Sequence, residues 1–472
     1  MQPGLFRRIR TLARVSPSPW LASLLSALIP GLGHIYAGDR RRGRVMLAVD
    51  LALIALLAVV AVFLKVGAMK VLVSPDGLSL VMAGNLLLAS YRLWAAYDAH
   101  GLVAGRRRPR SENPALARVA LLAVAFVLVV PHAALGYLTV TQYSLLRDVF
   151  DNDPSPTVPT TPGSTVPGQT TTTDRSRPPI WDGLERLNVL LIGSDVGPDR
   201  TGIRTDTMIV VSVDPQTGDA AMISLPRNLH SLPLPEGFGP DDDCHCFPDL
   251  LNALWWDAVN HPDRYPGEGD PGPRALKRAI GEFLGLEIQY YAMVSLQGFV
   301  GLVDALGGVT IDVPARVVDE TYPHEDGVTI ENVVIEPGRQ HLDGHLALAY
   351  ARIRRHADDW ARMNRQRCVL GALLEQSSPM ELLARYGALV DVMRQHLETD
   401  IPLDRLADFI DILPKLSTDR IGALLVNRDY VTERVDNKTF YDLERIQREA
   451  AALLADPTSG ATDGLSLSGA CD

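Results

Sequence analysis

Two carboxylates flank one short loop at the point where a strand-like run ends. Asp195 closes the run NVLLIGSD (188–195), and Asp206 opens the next run, TMIVVSV. Ligands of α/β sheets collect beyond the carboxyl ends of strands. Two carboxylates in that position can hold Mg²⁺, which takes one or two carboxylates together with substrate phosphates. Aspartate is also common in turns, so a purely structural role is the alternative at this point.

The densest cluster of positive charge lies in YARIRRHADDWARMNRQR (350–367). Its six arginines are Arg352, Arg354, Arg355, Arg362, Arg365 and Arg367. On a helix, Arg362, Arg365 and Gln366 share one face. Like charges this close repel one another unless an anion neutralises them, and the guanidinium fork suits phosphate oxygens. The alternative is a solvated helix paired through Asp358 and Asp359. A further arginine, Arg227, follows another strand-like run, where a lone cation is ordinarily a surface charge.

Residues 186–455 predict one α/β domain with a mixed central sheet flanked by helices. The predicted strands are 188–192, 207–213, 220–225, 289–296 and 309–313, and the second and third form a hairpin around Asp214–Gly218. The predicted helices are 271–285, 297–306, 343–354 and 359–376, with further amphipathic helices after residue 377. In this arrangement several strands end close to the candidate residues.

Charge is divided unevenly along the 472 residues. Residues 1–150 carry 17 Lys and Arg against 6 Asp and Glu, and the remainder carries 28 against 50. The pattern indicates a basic part beside an anionic membrane surface and an acidic, solvated globular part. Nucleic acid is therefore not an expected partner, although a local basic cluster can still bind phosphate.

Four cysteines are too few for a disulfide scaffold. Cys244 and Cys246 form a C-x-C rather than a C-x-x-C with no second cysteine pair, so a structural zinc is not expected. We expect Cys368 to be buried on the apolar side of helix 359–376. The pairing of Cys244, Cys246, Cys368 and Cys471 stays open, and a bridge is permitted if the domain lies outside the cell.

The first 145 residues predict a helical membrane region. Residues 45–64, 77–97 and 119–140 are long and apolar enough to cross a bilayer, whereas 20–37 is broken by Pro30, Gly31 and Gly33. The arginine blocks at 7–14, 40–44 and 106–110 favour the cytoplasm. The consistent topology has the N-terminus inside, three crossings, a first segment that dips into or lies on the membrane, and everything after residue 140 outside. Four full crossings are the alternative.

Residues 146–185 predict a Thr- and Pro-rich stalk, because the stretch has too little apolar surface to offset the entropy of ordering. Residues 456–472 are small and polar and predict a loose tail. The chain therefore divides into membrane region, stalk, domain and tail.

Six blocks, in order, resemble the LytR-CpsA-Psr family. They are NVLLIGSD (188–195), RTDTMIVVSVDPQTG (204–218), ISLPRN (223–228), LVDALGGVTIDVP (302–314), LDGHLALAYARIR (342–354) and DDWARMNRQR (358–367). The composition, rich in Ala, Arg, Gly and Pro, resembles actinobacterial members. The resemblance implies an extracytoplasmic domain that binds polyprenyl-pyrophosphate glycans in an apolar tunnel and transfers the phospho-glycan to peptidoglycan.

The resemblance also implies roles for individual residues. Asp195 and Asp206 match the family's catalytic and metal-binding aspartates, with Mg²⁺, or alternatively Mn²⁺, as the cofactor. The matches to its pyrophosphate-binding side chains are Arg204, Arg227, Arg352, Arg354, Arg362, Arg365 and Gln366, and Arg227 and Arg362 are also expected to act in catalysis. The chain departs from the family in Asn228, which replaces an aspartate, in extra residues at 195–204, and in its several apolar segments.

Two other functions remain open from sequence. The same site could release the glycan phosphate to water as a pyrophosphatase, since the donor chemistry is shared. Alternatively, the arginines could bind anionic polymer in a non-enzymatic wall-assembly or regulatory factor. The expected partners are a polyprenyl-pyrophosphate-linked glycan donor, a peptidoglycan acceptor and membrane lipid.

The topology predicts opposite labelling at two positions. Thr171→Cys in the stalk should react with a membrane-impermeant thiol reagent in intact cells, because the stalk is outside. Ser111→Cys, beside the third arginine block, should react only after the cells are permeabilised. Labelling of Ser111→Cys in intact cells would contradict the three-crossing topology.

Overall fold

The computed structural model describes residues 17–105, 114–150, 183–195, 203–240, 245–324, 329–354, 359–376, 385–416, 420–435 and 438–457. The predicted stalk, apart from its ends, lies outside the described residues, as do 196–202 and the tail after residue 457. The chain divides into two compact units, Met1–Tyr143 and Ser144–Asp472. The domain boundaries set out from the sequence stay predictions.

The first unit is helical. Its helices are α1 (Pro19–Leu28), α2 (Leu32–Tyr36), α3 (Arg40–Phe63), α4 (Lys65–Leu72), α5 (Pro75–Ala104) and α6 (Pro114–Phe150), the last of which continues into the second unit. Three stretches, Arg40–Val60, Pro75–Ala104 and Ala117–Phe150, are long and apolar enough to cross a membrane. They overlap the three predicted crossings, whose orientation stays a prediction.

The predicted first segment is two short helices rather than one. Helices α1 and α2 have ten and five residues, fewer than the roughly 20 that a crossing needs. Gly31 separates them with φ of +99°, and a Cβ there would lie 2.3 Å from the carbonyl oxygen of Gly43. Buried His34 then hydrogen-bonds Asp98 on α5 at 2.9 Å. The break agrees with a segment that does not span the bilayer, which stays a prediction.

The second unit is built on a six-stranded mixed sheet, which confirms the predicted fold class. Its strands are β1 (Leu187–Ser194), β2 (Thr205–Val213), β3 (Ala220–Leu225), β4 (His230–Pro233), β5 (Cys246–Leu250), β6 (Tyr290–Ser295), β7 (Val309–Val313), β8 (Val317–Pro323), β9 (Ile330–Ile335), β10 (Gly338–Leu342), β11 (Leu397–Thr399), β12 (Ile421–Leu425), β13 (Val431–Val435) and β14 (Lys438–Tyr441). Its further helices are α7 (Leu254–Asn260), α8 (Pro271–Leu284), α9 (Leu296–Leu306), α10 (Gly344–Arg352), α11 (Asp359–Gln376), α12 (Tyr386–His396), α13 (Leu406–Ile412) and α14 (Leu443–Ala455). Every strand and helix predicted between residues 188 and 376 is present.

Strand direction brings distant residues to one edge of the sheet. The order is β11-β6-β1-β2-β3-β12, with β1 antiparallel to β2 and β2 antiparallel to β3. Ser194 at the end of β1 pairs with Thr205 at the start of β2, and Met208 pairs with Leu225 at the end of β3. The ends of β1 and β3 and the start of β2 therefore share one edge.

Two hydrophobic clusters support that edge. The first covers one face of the sheet with α7, α8 and α14, and it includes fully buried Leu190, Val210 and Ile223. The second joins β7–β10 to α9, α10 and α11 through side chains such as Tyr322, Tyr350 and Val369. We call the elements of the second cluster the helix–hairpin layer.

Cys368 belongs to the second cluster and has no solvent exposure, as predicted for the apolar side of α11. Cys246 and Cys368 are each disulfide-bonded. Cys244 and Cys471 lie outside the described residues, so the pairing pattern stays a prediction.

The central position of β1 makes a stability prediction. Leu190→Ala removes a fully buried side chain from the first cluster, and such substitutions cost about 2–5 kcal/mol. The thermal midpoint of the full-length protein in detergent should fall by at least about 5 °C. Leu416→Ala, at a side chain that is 39% exposed, is the control and should leave the midpoint within about 1 °C. Equal midpoints for the two variants would contradict this description of the core.

Candidate active site

Asp206 is the centre of the site and takes its position from the strand register. It is the second residue of β2, while Arg227 lies in the turn that follows β3. Because β2 and β3 are antiparallel, the two side chains meet at the shared edge, where Nη1 of Arg227 donates a hydrogen bond to Oδ1 of Asp206. The side chain of Arg227 is only 15% exposed and that of Asp206 only 18%. This ion pair therefore lies in a partly dehydrated position, where electrostatic interactions are stronger than in water.

Asp195 occupies the neighbouring position at the end of β1. Its backbone N–H donates to the carbonyl oxygen of Arg204 at 2.9 Å, which closes the loop between β1 and β2. Asp195 is 6% exposed, and one carboxylate oxygen lies 3.7 Å from Nη2 of Arg352. Asp195 thus follows the end of β1 and Asp206 lies on the paired strand β2, each beside an arginine from another element.

Arg362 connects the helix–hairpin layer to the sheet. It lies in the first turn of α11, is 2% exposed, and donates from Nη1 to the backbone carbonyl of Asp206 at 2.9 Å. The contact joins residues 156 positions apart in the chain. A second guanidinium therefore lies at Asp206, in addition to that of Arg227.

Arg352, the last residue of α10, also contacts the hairpin β8–β9. Its Nη1 donates to the phenol oxygen of Tyr322 at 3.3 Å, and its guanidinium carbon lies 5.7 Å from the centre of that ring. The ring therefore holds the guanidinium through both a hydrogen bond and a cation–π contact.

A cavity of about 370 Å³ opens between these groups. Its lining residues are Asp206, Arg227, Asp319, Thr321, Tyr322, Pro323, Arg352, Ile353, Arg354 and Arg362. Four guanidinium groups thus face two carboxylates, which leaves a net positive cavity. Arginines in such a setting favour an anion with several oxygens, and phosphate or pyrophosphate fits their bidentate geometry.

Arg365 and Gln366 share a helix face with Arg362, but both side chains donate hydrogen bonds to the end of α10. Arg365 donates from Nε to the carbonyl of Tyr350 at 2.7 Å and also to the carbonyl of Ile353. Gln366 donates to the carbonyl of Ala351 at 3.4 Å. These bonds occupy carbonyls that a helix end leaves unsatisfied. Neither side chain lines the cavity, so their role as pyrophosphate ligands stays a prediction.

The same helix pair carries buried ionisable groups. Burial raises the pKa of the Tyr350 phenol, and the nearby Arg365 guanidinium opposes that rise. Burial lowers the pKa of the Arg367 guanidinium, which is 1% exposed and does not line the cavity. Of the described arginines in 350–367, the ones that line the cavity are Arg352, Arg354 and Arg362.

The remaining candidates from the sequence that the structure describes do not line the cavity. Arg204 is exposed just before β2 and is absent from the cavity lining, as is Asp195, so their roles stay predictions. Asn228 follows Arg227, and its buried Oδ1 accepts no hydrogen bond within the described part of the chain. Arg355 and Asp358 fall outside the described residues.

One wall of the cavity was missed from sequence. Asp319, Thr321, Tyr322 and Pro323 on β8 line it, although they lie about 30 residues before the arginine cluster. An acidic, Thr-containing strand ordinarily indicates an exposed hairpin edge. The only local signal is Tyr322, an aromatic residue with a polar tip that commonly finds a hydrogen-bond partner when buried.

The donor set at the sheet edge fits a hard divalent cation. Asp195 and Asp206 supply carboxylate oxygens from neighbouring strands, and Mg²⁺ takes such ligands together with substrate phosphates. Asp206 is paired with Arg227, and Asp195 lies 3.7 Å from Arg352. The Mg²⁺ assignment stays a prediction.

Comparison with known proteins identifies the family. The sequence model of the LytR_cpsA_psr family matches residues 166–453. Two similar relatives, from Halalkalibacterium halodurans and Oceanobacillus iheyensis, are each named polyisoprenyl-teichoic acid–peptidoglycan teichoic acid transferase TagU. They are 29% identical over 46% of this chain and 28% identical over 48% of it, and each match spans 62% of the relative's length.

A similar solved structure is that of B. subtilis TagV, which is 21% identical to this chain. The match covers 58% of this chain and 98% of TagV, with a TM-score of 0.42. The family match covers more than half of the residues and contains all six sequence blocks and every candidate site residue. This chain therefore belongs to the LytR_cpsA_psr family.

Proposed function

We propose that this protein is a membrane-anchored phosphotransferase that moves a glycan phosphate from a polyprenyl-pyrophosphate donor to peptidoglycan. The observation that carries the proposal is the cavity in which Arg227, Arg352, Arg354 and Arg362 surround Asp206. The names of the two TagU relatives, which describe a polyisoprenyl-linked donor and a peptidoglycan acceptor, support the substrate classes.

The arginines would bind the donor's pyrophosphate. Arg354 is exposed at the cavity and has no hydrogen bond or ion pair with any residue that the structure describes, so its charge is available to an incoming anion. Arg352 and Arg362 approach from the helix–hairpin layer, and Arg227 approaches from the sheet. A pyrophosphate bound between them would be neutralised from several sides, which favours the leaving phosphate as its charge develops.

The reaction requires one bond to form and one to break. The acceptor hydroxyl oxygen attacks the phosphorus that carries the glycan, and the bond from that phosphorus to the polyprenyl phosphate oxygen breaks. The electron pair leaves with polyprenyl monophosphate, while the hydroxyl proton passes to a carboxylate. Asp206 lines the cavity and Asp195 directly follows the paired strand β1, so these two residues are the candidates for that base. Such transfer depends mainly on positioning and charge neutralisation.

Asp195 and Asp206 are also the proposed ligands of Mg²⁺, with Mn²⁺ as the alternative. When bound, the metal would neutralise oxygens of the pyrophosphate. The chain's own arginines would then position the donor, and the sheet edge would hold both carboxylates beside it.

We further propose that the domain lies outside the cytoplasm on a multi-pass anchor. Three helices long and apolar enough to span a membrane, together with the placement of the arginine blocks, support that topology. Disulfide-bonded Cys246 and Cys368 fit an oxidising compartment. The anchor would keep the domain near its lipid-linked donor.

Arg354→Ala tests donor binding without disturbing the core. Charge-assisted hydrogen bonds contribute about 1.5–3 kcal/mol, and solvent exposure places Arg354 at the low end, so donor affinity should fall about tenfold. The thermal midpoint should not change, because the side chain is exposed and bonds to no described residue. Affinity is measured on the full-length protein with a polyprenyl-pyrophosphate analogue.

The matched control is Arg339→Ala on β10. The side chain of Arg339 is also exposed and also bonds to no described residue, but it does not line the cavity. Its loss should leave affinity unchanged. Equal affinities for both variants and the wild type would remove the support that the cavity gives to the function.

Asp206→Asn separates an enzyme from a binding protein. The substitution keeps the size of the side chain but removes its basicity, so turnover should fall by about 10²–10⁴-fold while donor binding largely survives. Asp312→Asn, at an exposed aspartate on β7, is the control and should keep full turnover. Full turnover in both Asp206→Asn and Asp195→Asn would exclude the proposed roles of these carboxylates.

The acceptor separates transfer from hydrolysis. Full-length protein is incubated with a polyprenyl-pyrophosphate glycan, with and without peptidoglycan fragments, and the products are identified by mass spectrometry. A transferase yields glycan joined to peptidoglycan through a phosphodiester and makes little product without acceptor. Release of free glycan phosphate at the same rate in both incubations would instead establish a pyrophosphatase.

A further inference from the structure

A second group of metal-ligating side chains lies in the helix–hairpin layer, apart from the two aspartates. His324 follows β8, Glu331 lies on β9 and His345 lies in the first turn of α10. One possible ligand atom from each residue lies within 4.8 Å of those of the other two. Three separate elements therefore bring two imidazoles and one carboxylate to one point.

Backbone and ring contacts fix this arrangement. The N–H of His324 donates to the carbonyl of Thr329 at 2.9 Å, which closes the hairpin between β8 and β9. The rings of His324 and His345 stack at 4.7 Å between centres. Nε2 of His345 lies 2.5 Å from Oε1 of Glu331, and both atoms are shielded from solvent.

The ligand types select the ion. Mg²⁺ and Ca²⁺ prefer all-oxygen sites, whereas imidazole nitrogens suit Zn²⁺ and related transition metals. Ligand atoms bound at 2.0–2.1 Å in a tetrahedral zinc site are about 3.3 Å apart. Small shifts would reach that spacing, with the His345 and Glu331 atoms moving slightly apart from their 2.5 Å contact. A site with two histidines and one glutamate also leaves a fourth position for water or another ligand.

We propose that His324, Glu331 and His345 bind one zinc-like divalent cation that fastens the hairpin β8–β9 to the start of α10. The ring of Tyr322 packs edge-on against His345, with 5.7 Å between centres, and its hydroxyl accepts from Arg352. Tyr322 also lines the anion cavity. The ion therefore orders one cavity wall without taking part in the transfer, and its binding does not depend on the function proposed for that cavity.

Zinc stoichiometry tests the site. Full-length protein in detergent is stripped with a chelator, loaded with Zn²⁺ and dialysed, and bound zinc is measured by elemental analysis. Wild type should retain one equivalent more than His345→Ala, and so should the control His341→Ala, which removes an exposed imidazole four residues away. Zn²⁺ should raise the thermal midpoint of wild type and of His341→Ala but not that of His345→Ala.

Two further variants keep the result unambiguous. Glu331→Gln preserves the shape of the side chain and should also lose the equivalent, which guards against misfolding of His345→Ala. Asp206→Asn should keep the equivalent of zinc held by His324, Glu331 and His345, because the Asp206 carboxylate belongs to the other site. Equal zinc content in wild type, Glu331→Gln and His345→Ala would overturn the proposal, whatever the result with the lipid-linked donor.

Discussion

The accumulation of guanidinium groups around Asp206 is the constraint on which the site depends. Arg227 and Arg362 both bond to this residue, one to its carboxylate and one to its backbone carbonyl. Arg352 and Arg354 face the same cavity. Like charges in a partly dehydrated space repel strongly, and two carboxylates offset only part of that repulsion. The fold must therefore hold the arginines in place, and a polyanionic ligand would neutralise the remaining positive charge of the cavity.

Two different parts of the second unit hold the arginines and Asp206 in position. The sheet positions Asp206 and Arg227 through its register, and its strands are anchored by the first hydrophobic cluster. The helix–hairpin layer positions Arg352 and Arg362 through the second cluster. Arg365 binds the carbonyls at the end of α10 and so ties the two helices that carry the other arginines. The cavity thus lies where two separately packed layers meet.

This division explains why similar side chains on one helix have different uses. Arg362, Arg365 and Arg367 all lie on α11. Arg362 donates to Asp206 on the sheet, Arg365 donates to a carbonyl of α10, and Arg367 is buried. Helical spacing places residues on a face, but the neighbouring elements decide what each face contacts. The hairpin β8–β9 is part of that neighbourhood, and a cation held by His324, Glu331 and His345 would fix it against α10.

Most elements of the second unit, and several residues of the candidate site, could be predicted from the amino-acid sequence. Apolar periodicity and Gly or Pro boundaries located the strands and helices between residues 188 and 376, because these signals are local. Strand ends pointed to Asp195 and Asp206, the density of arginines pointed to Arg352, Arg354 and Arg362, and the apolar side of α11 predicted a buried Cys368. Arg227 became a candidate only through the family resemblance. The ordered blocks also pointed to the family that the comparison established.

Only the tertiary structure decided which of these residues share a space. The face shared by Arg362, Arg365 and Gln366 did not show that the last two bond to α10, because that contact depends on how two helices pack. The wall formed by Asp319–Pro323 and the group His324, Glu331 and His345 also gave no local signal. Their members come from elements whose approach is set by the burial of the second cluster, and side-chain spacing along the chain carries no information about that approach.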